Sequence, residues 1–169
     1  HTDATQVVGK LPMNLSRLRA HFLSLSAHKF HGPKGIGACY IRKDKNGLRT
    51  KLTPLIHGGN QEQGYRAGTL AVHNIVGLGK AAEIALRDMN ENRNFLQAAE
   101  EWLFNELKKI VPGIRLNGHP TERIPGVLNI IIPGLNNELL IQWLAQQDIA
   151  VFSGSACSVS EPSYVLQTM

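Results

Sequence analysis

A lysine in a polar, glycine-rich segment between two strand-like runs constrains this chain more than any other feature. Phe22–Ser26 alternates apolar and polar residues, and residues 36–41 form a second apolar run of strand length. The segment 27–35 between them is rich in glycine and carries a proline, which predicts a turn. A lysine at a strand end, beside glycines and a hydroxyl, can bond to a carbonyl cofactor when its amine is neutral. Spacing alone favours an ordinary surface lysine at Lys29. The neighbouring motifs are therefore needed to decide whether this lysine binds a cofactor.

The rest of the chain alternates between helical and strand-like patterns. The predicted elements are helices over 74–89, 91–110 and 137–147, and strands over 127–132 and 149–152. This alternation indicates an α/β protein. We expect a domain boundary near Met89, where a loop-rich half ends, with one domain at 1–88 and another at 89–169.

Composition and charge exclude several classes of function. The chain has 169 residues, of which 43% are hydrophobic, and no apolar run approaches the length of a membrane span, so no membrane association is expected. The net charge is +5. The local basic cluster consists of Arg42, Lys43, Lys45, Arg49 and Lys51. Aromatic residues do not interleave with these charges, so a solvated hairpin or loop is favoured over a nucleic-acid surface.

The chain has two cysteines, Cys39 and Cys157. Two widely spaced cysteines do not make a disulfide framework, which favours a reducing, cytoplasmic compartment. Cys39 lies in the apolar run 36–41, so we expect an inert core residue. Cys157 lies on a glycine- and serine-rich loop, where a thiol is accessible and can react.

The motif Ser-x-His-Lys-x-x-Gly-Pro-Lys-Gly, which begins at Ser26, strongly resembles the lysine motif of the cysteine desulfurases. These enzymes belong to the class V aminotransferase superfamily, in fold type I of the pyridoxal-phosphate-dependent enzymes. The resemblance implies that the cofactor is pyridoxal 5′-phosphate and that Lys29 bonds to it. It also implies that Ser26 and His28 hold the cofactor phosphate. No metal site is expected, because His28 and His31 have no carboxylate or cysteine nearby.

Segments on both sides extend this resemblance. The residues from His1 to Lys10 are similar to the family segment whose aspartate pairs with the pyridine nitrogen of the cofactor. The resemblance gives that role to Asp3, where an anionic partner keeps the ring protonated and able to accept electrons. It implies that Gln6 hydrogen-bonds to the ring hydroxyl.

Residues 58–69 resemble a family loop that reaches across a dimer interface. By that resemblance Thr69 contacts the cofactor phosphate of a partner subunit, which implies a homodimer. Arg66 matches the family pattern. The family usually has a basic residue where this chain has Gln63, so the role of that side chain is not carried over.

The run Ser-Gly-Ser-Ala-Cys at 153–157 is similar to the active-site loop of the desulfurases. The resemblance implies that L-cysteine is converted to L-alanine while a persulfide forms on Cys157. Lys29 would remove the Cα proton of the substrate, so Lys29 and Cys157 are the predicted catalytic residues. The sulfur would then pass to an iron–sulfur scaffold or another acceptor protein, which the sequence does not specify.

The resemblance runs from Asp3 to Tyr164 but covers less than half of a family member. It implies the end of the large cofactor domain and most of a truncated small C-terminal domain. The ring-stacking histidine and the substrate-binding arginine of the family find no match, so these residues alone are expected to be inactive. The alternatives are a selenocysteine lyase or another class V enzyme, and a non-catalytic fragment that binds partners.

Overall fold

The computed structural model describes residues 1–154 and 163–168. Helices and strands are both present, which confirms the predicted α/β class. The chain divides into two compact units, His1–Phe95 and Leu96–Met169. The domain boundary at residues 88 and 89 stays a prediction.

The first unit contains a three-stranded sheet with the order β1-β2-β3. The strands are β1 (Thr2–Asp3), β2 (Phe22–Ser26) and β3 (Gly37–Ile41). β1 pairs with β2 in parallel, and β2 pairs with β3 antiparallel, with Ser26 opposite Gly37. The prediction for β2 is confirmed, and β3 begins one residue after the predicted start. This order places the ends of β1 and β2 beside each other, so the segments that follow both strands are neighbours.

A single long helix, α1 (Val72–Ile110), replaces the two helices predicted over 74–89 and 91–110. The residues between the predicted helices, around Asn90, include neither proline nor glycine, and a residue of weak helix propensity does not by itself end a helix. α1 also contains Gly77, whose missing side chain is explained by packing. A Cβ on Gly77 would lie 2.9 Å from Cγ of Pro33, so the glycine lets the lysine-bearing loop approach the helix.

The core of the first unit lies directly beneath the predicted lysine turn. Its buried members are Ala27, Phe30 and Ala81. Partly buried apolar residues pack against them, namely Val8, Leu25, Ile36, Leu78 and Ala85. Gly32 has no room for a side chain either, because a Cβ there would lie 2.9 Å from Cβ of Ala27. Small residues therefore hold the turn close to α1.

The prediction that Cys39 is a buried core residue is wrong, because the thiol is exposed. Cys39 lies on β3, which is an edge strand in the described sheet. A residue on an edge strand is covered only by its neighbours on one side, so an apolar sequence does not ensure burial. Every residue of β3 from Gly37 to Cys39 is exposed in the same way.

The second unit contains a short antiparallel pair, β4 (Arg115–Leu116) and β5 (Ile130–Ile131), and the helices α2 (Asn137–Ala145) and α3 (Tyr164–Gln167). The strand predicted over 127–132 is present only at Ile130–Ile131 and is not fully buried. The predicted strand over 149–152 is absent, because that segment makes no ladder pairing. α2 begins at the predicted residue, since the side chain of Asn136 accepts hydrogen bonds from the backbone of Glu138 and Leu139.

The basic cluster forms the solvated hairpin that the sequence favoured. Lys43 and Arg49 make an antiparallel bridge, and the carboxylate of Asp44 accepts hydrogen bonds from the backbone nitrogens of Asn46 and Leu48 at 2.8 and 2.9 Å. Gly47, with φ +80°, completes the turn. In the part of the chain that the structure describes, no helix is long and apolar enough to cross a membrane.

Candidate active site

Lys29 lies on a short 3-10 turn, Ala27–Phe30, that follows β2 directly. The turn is anchored by its first and last residues, since Ala27 is 0% and Phe30 is 4% exposed. Lys29 is half-buried between these anchors, and His31 ends the turn in a left-handed conformation with φ 68°. The backbone nitrogen of Gly32 also returns to the carbonyl oxygen of Ala27, at 2.9 Å. Lys29 is therefore presented by a rigid, core-anchored turn.

The side chains of Ser26 and His28 meet beside this lysine. Oγ of Ser26 lies 2.8 Å from Nδ1 of His28, in a hydrogen bond whose direction depends on the tautomer. His28 is exposed, which leaves its Nε2 atom open to another group. A hydroxyl and an imidazole held together at a strand end can bind the oxygens of a phosphate group. These are the two residues predicted to hold the cofactor phosphate.

Asp3 ends β1 and pairs with Ser24 of β2. Its carboxylate oxygen Oδ1 accepts a hydrogen bond from the backbone nitrogen of Thr5 at 2.8 Å. The side chain of Thr5, and then its backbone N–H, lower the pKa of Asp3 from its ordinary value. Asp3 is therefore a stable anion near neutral pH, as a partner for a protonated ring nitrogen must be.

Gln6 lies in a helical turn that follows β1. The backbone nitrogens of Val7 and Val8 both donate to the carbonyl oxygen of Ala4, at 2.9 and 3.0 Å. The turn brings Gln6 and Lys10 onto one face, where Nζ of Lys10 donates to Oε1 of Gln6 at 2.7 Å. Burial, and then the nearby charge of Lys29, lower the pKa of Lys10.

Lys10 was not among the predicted site residues, although the structure brings it close to Lys29. The signal that could have found it is its spacing of four residues from Gln6, which places both side chains on one face of a helical turn. Asp3, Ser26, His28 and Lys29 all lie at or just after the neighbouring ends of β1 and β2.

Thr69 lines a different part of the surface from Asp3 and Lys29. It is exposed and lines a cleft with residues of β3 and of the loop that carries Gln63 and Arg66. Among the described residues, the lining of this cleft includes neither Lys29 nor Asp3.

The loop that leads to Thr69 is held in an unusual conformation. Glu62 and Gln63 have φ values of 50° and 58°, which non-glycine residues adopt at a cost. Side-chain contacts help to hold this loop: Nη1 of Arg49 donates to Oε1 of Gln63, and the backbone nitrogen of Gly68 donates to Oε1 of Gln61 at 3.0 Å. The guanidinium of Arg49 also lies 5.8 Å from the ring centre of Tyr65. Arg49 thus touches the side chain at the position where the resembled family usually carries a basic residue.

Cys157 lies outside the described residues, so its predicted role stays a prediction. On the far side of that segment, the hydroxyl of Ser163 accepts a hydrogen bond from the backbone nitrogen of Leu166 at 3.4 Å and begins α3. Within residues 1–154 and 163–168, no group of three or more histidine, cysteine, aspartate or glutamate side chains could hold a metal ion.

The known proteins that this chain resembles belong to one family. The family model described as aminotransferase class-V matches residues 1–169. A cysteine desulfurase IscS of Dictyoglomus turgidum is 43% identical over 171 residues, which cover 100% of this chain and 42% of that protein. A cysteine desulfurase IscS of Histophilus somni is 47% identical and likewise matches the whole chain and 41% of its own length.

Solved structures agree with these sequence matches. A NifS-like protein superposes with a TM-score of 0.77 at 38% identity, over 89% of this chain and 40% of its own. A NifS-like protein from Rickettsia africae superposes with a TM-score of 0.79 at 30% identity, over 90% of this chain and 41% of its own. The chain therefore spans about two fifths of the length of the relatives that it matches.

Proposed function

Because this chain belongs to the aminotransferase class-V family, we propose that it forms part of a pyridoxal-phosphate-dependent cysteine desulfurase. The observation that carries the proposal is the position of Lys29, half-buried on a core-anchored turn beside the Ser26–His28 pair. The names of the curated relatives support the choice of reaction within the family. The activity is proposed for the whole protein that contains these 169 residues.

Pyridoxal phosphate is the cofactor of this family. When bound, it supplies a carbonyl carbon that bonds to a lysine and a ring that accepts electrons from a developing carbanion. The residues at the ends of β1 and β2 fit such a group, because they offer an amine, a stable anion and a hydroxyl–imidazole pair. We propose that Lys29 bonds to the cofactor, Asp3 pairs with its ring nitrogen, Gln6 bonds its ring oxygen, and Ser26 and His28 hold its phosphate.

In the proposed reaction, Lys29 acts as the general base. Its neutral amine takes the proton from the Cα atom of L-cysteine. Asp3 remains anionic throughout, because Thr5 lowers its pKa.

The sulfur transfer is assigned to Cys157. Its thiolate forms an S–S bond with the substrate sulfur, and the Cβ–S bond of the substrate breaks with its electron pair remaining on Cβ. Cβ then takes up a proton and Cα regains the proton held by Lys29, which makes alanine, while Cys157 is oxidised to a persulfide and the carbon is reduced. The exposed Cys39 lies in another segment and has no part in this step.

The partners follow from the same proposal. Thr69, on its exposed loop, would contact the cofactor phosphate of a second copy in a homodimer. The persulfide would pass to an iron–sulfur scaffold or another acceptor protein, and the compartment we propose is the cytoplasm.

The experiment compares alanine and sulfide formation from L-cysteine by the whole protein and four variants. Lys29→Ala should lose both products, and Cys157→Ser should keep the visible cofactor band but lose sulfur release. The matched controls are Lys34→Ala, an exposed lysine of the same loop, and Cys39→Ser, the exposed thiol of β3, and both should retain activity. Full activity of Cys157→Ser toward L-cysteine would instead favour a selenocysteine lyase or another class V enzyme. A colourless protein would favour the non-catalytic, partner-binding role.

A further inference from the structure

The side-chain contact between Lys10 and Gln6 has no place in the reaction proposed above. Both residues lie in the helical turn after β1, one turn apart, and Nζ of Lys10 lies 2.7 Å from Oε1 of Gln6. The backbone nitrogens of Lys10 and Leu11 donate to the carbonyl oxygen of Val7 at 3.0 and 3.1 Å, which fixes the position of the lysine on the turn.

The chemistry of this contact settles which way the amide of Gln6 is oriented. A lysine ammonium has three N–H donors and no acceptor, so it can bind only the oxygen of the amide. The amide nitrogen, with its two N–H donors, is on the opposite branch of the side chain. Gln6 therefore presents a hydrogen-bond donor, and not an acceptor, on the side that faces away from Lys10.

We propose that Lys10 is a positioning residue, which holds the amide of Gln6 so that its N–H donates to the ring oxygen of the cofactor. This inference rests on the proposed function, because it takes the cofactor and the role of Gln6 from it. It adds a reason why Gln6 binds that oxygen in one orientation. Without Lys10 the amide can turn over and place its own oxygen against the cofactor oxygen, where two acceptors repel each other.

The surroundings keep Lys10 in place. Gly9, with φ +80°, lies against the side chains of Phe30 and Ala85, so the turn sits directly on the lysine-bearing segment. Lys10 is half-buried, and its pKa is lowered by burial and by the charge of Lys29. The oxygen of Gln6 accepts a hydrogen bond from this ammonium.

Two roles of Lys10 must be separated in the test, because its positive charge alone would also affect a nearby cofactor. A double-mutant cycle does so, since residues that act through one another are not additive. The four proteins are the whole parent, Lys10→Met, Gln6→Leu and the double variant. Methionine has a similar length but no donor, and Lys10→Arg is the conservative control because arginine also only donates.

Two readouts are measured on each protein: the dissociation constant of pyridoxal phosphate, and the pH midpoint of the visible band of the Lys29-bound cofactor. Lys10→Met should weaken cofactor binding about tenfold and raise the midpoint by about 1 pH unit, because a ring oxygen that loses a donor holds its proton more tightly. Lys10→Arg should stay within about twofold of the parent. In a chain that already carries Gln6→Leu, Lys10→Met should add less than about twofold.

Equal effects of Lys10→Met with and without Gln6 would overturn the inference, because Lys10 would then act by charge or by folding alone. An Lys10→Arg variant as impaired as Lys10→Met would overturn it as well. A parent protein with no visible band would instead overturn the proposed function, and this inference with it, so the two failures are distinguishable.

Discussion

A Cβ atom built on Gly9 would lie 2.9 Å from the Cβ atom of Phe30, closer than side-chain carbons normally approach. Gly9 belongs to the turn that carries Gln6 and Lys10, and Phe30 follows Lys29 directly. The absence of one side chain therefore lets two segments, which are about twenty residues apart, dock and bring their polar groups to one place. Glycine at position 9 is therefore a sequence feature on which the geometry of the candidate site depends.

Gly9→Ala should lower the free energy of unfolding of the protein by about 2–4 kcal/mol, because the new methyl group meets Phe30 and the left-handed φ is strained. Gly47→Ala is the matched control, since Gly47 has the same φ of +80° but nothing within 4 Å of a built Cβ. It should cost about 1 kcal/mol, from backbone strain alone. Urea unfolding measures both, and equal losses would show that the Gly9–Phe30 approach is unimportant.

Ser26→Ala should weaken the binding of pyridoxal phosphate by about tenfold to a hundredfold, because a hydrogen bond to a charged phosphate contributes about 1.5–3 kcal/mol. The loss should also free the His28 ring, whose Nδ1 atom is held by the Ser26 hydroxyl. A titration of the cofactor into the apoprotein measures the change. Ser16→Ala is the control, because the hydroxyl of Ser16 donates to Oδ1 of Asn14 at 2.6 Å, and it should leave the affinity unchanged.

The carboxyl group of Asp3 should titrate below the ordinary value of 3.8 in an NMR pH titration of the protein without cofactor. A folded-state pKa below the unfolded value means that ionisation favours the folded state. The contribution is thus present above the unfolded pKa and is lost as the pH falls through the folded pKa. Thr5→Val removes the side-chain hydrogen bond, the largest cause of the shift, and should move the midpoint back toward 3.8. An unchanged midpoint in Thr5→Val would contradict this assignment.

Arg123→Met should destabilise the second unit by about 3 kcal/mol, because it leaves the carboxylate of Glu100 buried and unpaired. Glu100 is only 7% exposed, and its carboxylate binds Arg123 and the backbone nitrogen of Gly126. Lys109→Met breaks an exposed pair with Glu106 on the same helix and should change stability by less than about 1 kcal/mol. Thermal unfolding of both variants tests the contrast, and similar melting temperatures would contradict it.

Some elements, such as β2 and α2, could be predicted from patterns within their own residues or immediately before them. β2 alternates apolar and polar residues, and α2 begins after an asparagine that caps it, so nearby residues are enough to predict both. The two helices predicted on either side of Asn90 form the single helix α1, because no proline or glycine separates them there. The exposure of Cys39 was missed because burial depends on which strand lies at the edge of the sheet, and an apolar run does not reveal that.

In the candidate site, too, some residues could be predicted from local motifs and others depend on the folded structure. Asp3, Ser26, His28 and Lys29 were predicted because each lies in a short motif that resembles a segment of the desulfurases, and their roles stay predictions. Lys10 was missed because its importance depends on a hydrogen bond to Gln6 and on the nearby charge of Lys29, which the sequence pattern does not show. The strain at Glu62 and Gln63 also has no local signal, since neither residue type requires a left-handed backbone.

The most direct test of the central claim is to locate the covalent bond between the cofactor and the chain. Borohydride reduction of the whole, cofactor-loaded protein fixes that bond, and mass spectrometry of the resulting peptides finds the modified lysine. We expect the mass of the reduced pyridoxyl phosphate group on Lys29, with none on the neighbouring Lys10 or Lys34. A modification on Lys10 or Lys34, or none on any lysine of a protein that shows the visible band, would contradict the account.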